Sequence, residues 1–349
     1  MDIKDYQFML DKLDDERKEN FLEMQRGERL PNLYSDVMIK HILSPELHPE
    51  RLDFLLKHVM KDETINVDKS ASNEGIQQNE YSKKLITDVP AWLKDGRLTD
   101  IEIQTLAQDF IHDRADLYAS DMLLIQYSAE KNQKKSEINY ENIKEVILVV
   151  LMRNSPDDFK KAATDQYIHK VTEIITDTGI RFNSLKKMVF VQLDKALDIF
   201  RKDETDPYGD DEILKFLALI ADVNDNKVKD EINKNAMLKD IRDDALRFSQ
   251  DKEVQAMLLA EQFYEADLKA MESAAKKKGH REGFTEGKLE GKAIGRAEGR
   301  VEGRAEGRAE GRAEGKDDDI KKLAKYFMGQ DASLSEEEAV NRARSIIIS

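Results

Sequence analysis

A chain of 349 residues is long enough to bury a full core and carry appendages, and its 40% hydrophobic, 36% charged composition suits a helix-rich fold with a strongly solvated surface. The absence of cysteine removes disulfides, thiolate metal sites and cysteine nucleophiles together, which fits a reducing cytoplasm. A formal net charge of −15 excludes a phosphate-binding surface spread over the whole molecule. Nucleic acid would need a local basic groove. Lys131, Lys134 and Lys135, or Lys276 to Lys278, could serve one, although an ordinary solvated face is the simpler reading of each cluster.

Residues 1–30 read as a charged helical lead-in without the apolar stretch of a signal peptide. From Asp36 to Met60, apolar residues recur at helical spacing and are broken at SPELHP, which predicts two short helices joined by a proline-containing turn. Residues 62–82 are polar and read as strand edge or loop. The stretch 84–106, KLITDVPAWLKDGRLTDIEIQTL, has two apolar, branched runs flanking Asp95-Gly96, the signal of a β-hairpin. Phe110 to Tyr127 is an amphipathic helix. Residues 143–152 hold the longest apolar run, Val146 to Met152, a buried strand too short to cross a bilayer. A helical stretch precedes a second strand at 186–193. Glu212 to Ala275 reads as helical and mostly charged.

This order predicts an α/β fold with a small mixed sheet, divided into a core at 31–205, a helical region at 206–278, a repeat at 279–315 and a helical segment at 316–349. Ser333 or Ser335 is placed to cap that last helix ahead of Glu336–Glu338. In the repeat, glycine recurs at every fourth position from 279 to 315, mostly as RAEG. As a lone helix it would lose on the order of 1 kcal/mol per glycine and would set Glu four residues from Glu and Arg four from Arg. Two readings remain: a flexible polyampholyte linker, or a helix held by a partner. A period of four exceeds 3.6, so each row of side chains drifts about 40° per repeat and implies right-handed winding.

The chemistry concentrates in the hairpin. Side chains alternate along a strand, so Asp100, Glu102 and Gln104 share a face. A three-residue loop, Asp95 to Arg97, would set Asp88 on that same face, opposite Gln104 and diagonal to Glu102. A two-residue turn would point Asp88 the other way. Two carboxylates on a buried face repel and lose hydration, a cost that a hard cation such as Mg²⁺ removes. On spacing alone, an exposed strand face with ordinary acids is the simpler reading. The six histidines show no metal-ligand spacing, and Trp92 reads as core or sheet surface.

A longer pattern narrows the choice. KKLITDVPAWLKDGRLTDIEIQ, FIHDRADLYASDMLLIQY and YENIKEVILVVLM, in that order, resemble the Rpn family of recombination-promoting nucleases, PD-(D/E)XK family transposases. YSDVMIKHILSPELHPERLDFLL, KKMVFVQLDKAL and the glycine-glutamate repeat extend the likeness over roughly residues 30–349. The resemblance implies a PD-(D/E)XK restriction-endonuclease-like core with a helical C-terminal extension, acting on DNA with Mg²⁺ or another hard divalent cation. It makes Asp88 and Glu102 the metal ligands and Gln104 the third catalytic position, where other branches of the superfamily carry lysine. Asp36 joins the catalytic set, and Lys40, Arg114 and Tyr118 become phosphate contacts or supports. The matched pattern departs at Ile39, where the family has an aromatic, and at Thr87, where a proline gives the superfamily its name. The resemblance further implies work in recombination or mobile-element activity; the lack of cysteine and of a bilayer-length apolar run fits a cytoplasmic protein with no membrane partner, and a partnered repeat would let the chain self-associate through 279–349. The competing reading is a catalytically weak nuclease fold that serves as a binding or assembly module through its C-terminal helices.

Overall fold

The computed structural model describes residues 3–71, 88–105, 107, 110–134, 140–162, 164–202, 211–330 and 333–348. The chain forms two compact units, Met1–Asp267 and Leu268–Ser349. In the first, α1 (Ile3–Lys12), α2 (Asp15–Gln25), α3 (Asp36–Ile42) and α4 (Pro49–Met60) precede β1 (Val67–Ser70). The hairpin strands β2 (Val89–Leu93) and β3 (Leu98–Gln104) follow, then α5 (Ile111–Lys134), β4 (Val146–Met152) and the short α6 (Asp157–Lys161). A second hairpin, β5 (Ile168–Ile175) and β6 (Arg181–Gln192), leads into α7 (Leu193–Lys202), α8 (Glu212–Ala221), α9 (Asn226–Ile232), α10 (Ala236–Ser249) and the long α11 (Lys252–Gln330).

The six strands form one mixed sheet in the order β1-β2-β3-β4-β6-β5. β3, β4 and β6 run parallel at its centre, and antiparallel strands complete both sides. The period of two sorts each strand between two cores. Ile101, Val149, Val189 and Val191 pack toward α2–α4 and α7–α10, whereas Leu98, Val146, Leu148 and Phe190 pack against Ile111, Ala115, Ala119 and Met122 of α5. β4 is buried along its whole length, as a central parallel strand must be. Helix starts are fixed locally: Ser35 accepts the Met38 N–H, and Asp211, Asp225 and Asn235 do the same for α8, α9 and α10.

Three expectations are corrected. The hairpin loop is Lys94–Gly96 rather than Asp95–Arg97. Gly96 closes it at φ 86°, the left-handed position that a three-residue loop needs at its end, with the Leu93 N–H on the Arg97 carbonyl and the Gly96 N–H on the Leu93 carbonyl. Val89 therefore opposes Ile101 and Trp92 opposes Leu98, so Asp88 falls in line with Glu102, not with Gln104. Its face is unchanged. Between β4 and β6 the helical reading holds only for α6, and residues 168–175 are a strand instead. α8 is apolar and buried from Ile213 to Ala221 apart from Lys215, not mostly charged. Residues 279–315, which the sequence allows as either coil or helix, are helical throughout as part of α11.

The expected first strand begins at residue 84, and its first four residues lie outside the described residues, as do the side chains of Lys131, Lys134 and Lys135. In the second unit, Ile320 and Ala324 of α11 pack on Ala339 and Ala343 of α12 (Glu336–Ile348). Ser335 caps α12 in a reciprocal arrangement: its hydroxyl lies 3.3 Å from the Glu338 N–H, while its own N–H and hydroxyl donate to the Glu338 carboxylate.

Candidate functional site

Asp88 stands one residue before β2, and its carboxylate accepts the Ile103 N–H at 2.9 Å. That bond ties it to β3 beside Glu102. Asp100, Glu102 and Gln104 lie on the α5 side of β3 and are only 1%, 5% and 7% exposed, so the exposed-face reading of these acids does not hold. Asp100 Oδ1 accepts the Val89 N–H at 3.2 Å. Asp100 Oδ2 and Glu102 Oε1 are sealed from solvent with no donor among the described residues.

Burial is the main force on all three acids. It pushes Asp88 up to about 6, against the lowering effect of the Ile103 N–H. It raises Asp100 to about 7, with further repulsion from Asp88, and it raises Glu102 to about 10, with repulsion from Asp100 and Asp88. Three acids that repel one another on a buried face, two of them with orphaned oxygens, fit a hard cation: its charge would offset the repulsion and take the place of the missing donors.

Cationic groups approach this acidic centre from two sides. From α5, Arg114 lies 3.4 Å from both Glu102 Oε2 and Gln104 Oε1, and its guanidinium sits 5.1 Å above the ring of Tyr118, one turn further along the helix. From α3, Lys40 is 3.4 Å from Asp88 and 2.7 Å from Asp36. Asp36 also shares a hydrogen bond with Asp88, which raises the latter's pKa. All seven residues read from the sequence thus converge on one region, in two groups joined through Asp88 and Glu102.

Two residues at the site were not assigned a role from the sequence. Asp100 was legible from strand parity alone. Glu261, on α11, had no local signal: it accepts the Asp36 N–H from 225 residues away and is raised to about 7, chiefly by burial. A separate cluster brings His41 and His48 to 3.2 and 3.0 Å from Asp244 Oδ2, despite their lack of ligand spacing in the sequence. Arg51 already occupies that oxygen at 2.8 Å, and His41 stacks on Phe248, so the group ties α3 and α4 to α10. The guanidinium leaves poor electrostatics for a cation.

A mixed sheet whose central strand carries paired buried acids, with helices on both faces, is the architecture of a PD-(D/E)XK nuclease-like fold. The family model for PD-(D/E)XK nuclease family transposases matches residues 33–275, and the chain belongs to that family. No curated protein and no solved structure matches it. Among the described residues no helix is long and apolar enough to cross a membrane.

Proposed function

We propose that this protein is a Mg²⁺-dependent DNA endonuclease of the Rpn type, hydrolysing phosphodiester bonds in recombination or mobile-element activity in the cytoplasm. The observation that carries this reading is the alignment of Asp88 with Glu102 on one buried face, beside oxygens that have no donor. Asp88 and Glu102 hold the metal. When bound, a hard divalent ion acidifies water and stabilises charge on the phosphate and the leaving oxygen.

The remaining roles belong to side chains already positioned. Gln104 orients water or a phosphate oxygen through its amide, with Arg114 beside it. The forked donors of Arg114 reach a phosphate from α5 while Tyr118 supports the guanidinium plane from one side. Lys40, half-exposed, supplies a second cation from α3, and Asp36 fixes it against Asp88. These cations lie where DNA must approach, which reconciles the acidic bulk of the chain with a polyanionic substrate. Self-association through residues 279–349 belongs to the same reading.

The test compares plasmid nicking in Mg²⁺ by the wild-type protein, Asp88→Ala and Glu102→Ala, with thermal melts to establish folding. Loss of at least about a hundredfold in both variants is expected. Equal nicking by all three preparations removes the assigned site. Absence of nicking by folded wild-type protein favours the assembly reading, which Gln104 in place of lysine independently supports.

A further inference from the structure

The first turns of α11 belong to the first unit and are held there by an apolar stripe. Val254 and Leu258 are buried in the core, with Leu259 beside them. Glu261 and Glu265 follow Val254 on the same helical face, each within about 20° of it around the axis. The stripe therefore turns acidic where it meets the start of α3. Glu261 Oε1 accepts the Asp36 N–H, and its Oε2 is sealed from solvent with no donor among the described residues. Leucine at this position would continue the stripe without stranding a buried oxygen. What the acid adds is the bond to Asp36.

That bond reaches α3 where the core does not. Met38, Ile39 and Ile42 anchor the body of the helix. The N–H groups of a first helical turn have no partner within the helix itself. Ser35 takes that of Met38, and Glu261 takes that of Asp36, the first helical residue. The Asp36 side chain in turn lies 2.7 Å from Lys40 and shares a hydrogen bond with Asp88, from which Lys40 is 3.4 Å. A shift of the Asp36 backbone is thus passed directly to Lys40 and Asp88. Misplacement of a reacting group by about 1 Å is enough to cost on the order of a hundredfold in rate.

We infer that Glu261 is a positioning residue of the acidic centre, holding the first residue of α3 so that Asp36 and Lys40 meet Asp88. The working unit then runs from α3 to the start of α11, although α11 supplies no group to substrate or metal. The effect on turnover rests on the nuclease reading, whereas the hold on α3 does not.

The test compares the full chain with Glu261→Leu, which continues the apolar stripe, and Glu261→Gln, which keeps the carbonyl acceptor. Hydrogen exchange is resolved to the Asp36 amide, with the amides of β4 as the control for folding. The leucine variant should exchange there about tenfold faster or more, and the glutamine variant should stay within about twofold of wild type. Lys40, released from Asp36, should react about fivefold faster with an amine-directed reagent in the leucine variant. In plasmid nicking with Mg²⁺, leucine should lower kcat about ten- to a hundredfold with a smaller change in KM for DNA, and glutamine should restore it. Unchanged Asp36 exchange or unchanged Lys40 reactivity overturns the inference. So does nicking indifferent to leucine, or a glutamine variant no better than leucine. If leucine disturbs β4, Glu261→Ala takes its place. If folded wild-type protein does not nick, the nuclease reading falls, and exchange and labelling still decide this inference.

Discussion

Replacing Asp88 by Asn should stabilise the metal-free protein, and increasingly so as pH rises. The Asp88 carboxyl is raised from 3.8 to about 6 in the folded protein, chiefly by burial, with only 14% of the side chain exposed. Between these values the folded chain binds a proton that the unfolded chain has lost. Stability associated with this group is therefore fully present below about pH 4 and is lost as pH rises through 6. At pH 8 the loss amounts to roughly two pH units at 1.36 kcal/mol each, or about 3 kcal/mol. Asn does not titrate, and its carbonyl can still accept the Ile103 N–H. It forfeits the attraction to half-exposed Lys40, worth under about 1 kcal/mol. The net gain is about 2 kcal/mol, or roughly 4–8 °C in melting temperature for a unit of this size. Melts in EDTA from pH 4 to 8.5 would measure it: the two proteins should coincide near pH 4, separate as pH rises through about 6, and keep a constant gap above about 7. Magnesium at about a hundred times its Kd should then add about 2.7 kcal/mol to the wild type and less to the variant. A variant less stable at pH 8, or a difference that does not grow with pH, would refute the burial of Asp88 as the origin of its shift.

Further outcomes follow from the neighbouring contacts. Gln104→Lys restores a positive charge at the third position of the acidic strand and should raise the nicking rate about tenfold, with a small stability cost from Arg114 nearby. Arg114→Ala removes the contacts to Glu102 and Gln104 and should weaken DNA binding about tenfold in a fluorescence-anisotropy titration. Lysine at that position should recover little of it, because it lacks the planar fork. Arg51→Ala breaks a 3%-exposed cation away from Asp244 and Asp240 and leaves Asp244 to two histidines; urea unfolding should show a loss of about 3–5 kcal/mol.

Much of the sheet was legible because its signals are local. Val146–Met152 is continuous enough in apolar residues to be a buried strand, and Asp95-Gly96 between branched runs marks a hairpin. The exact loop was not legible, since the same dipeptide can open or close a turn; only the left-handed Gly96 decides it. β5 was missed because its side chains are mixed and largely exposed at the sheet's edge, although the Asp177-Thr178-Gly179 turn, with Gly179 at φ 85°, was a usable sign. The charged reading of 212–275 overlooked the apolar run of α8, whose burial depends on helices from both ends of the unit.

By itself the sequence determined that acids at 88, 100 and 102 would share a face once the hairpin loop had an odd number of residues, because strand side chains alternate with a fixed period. It also determined that the arginines and glutamates from Arg296 to Glu314 could not pair within one helix, because opposite charges there sit two residues apart. Tertiary structure alone decided that this face lies under α5, away from water, where desolvation rather than spacing sets the protonation of the acids. It also decided that Lys40 from α3 and Glu261 from α11 reach Asp88 and Asp36. Contacts between residues tens or hundreds of positions apart leave no local period to read, and arise only when packing brings their elements together.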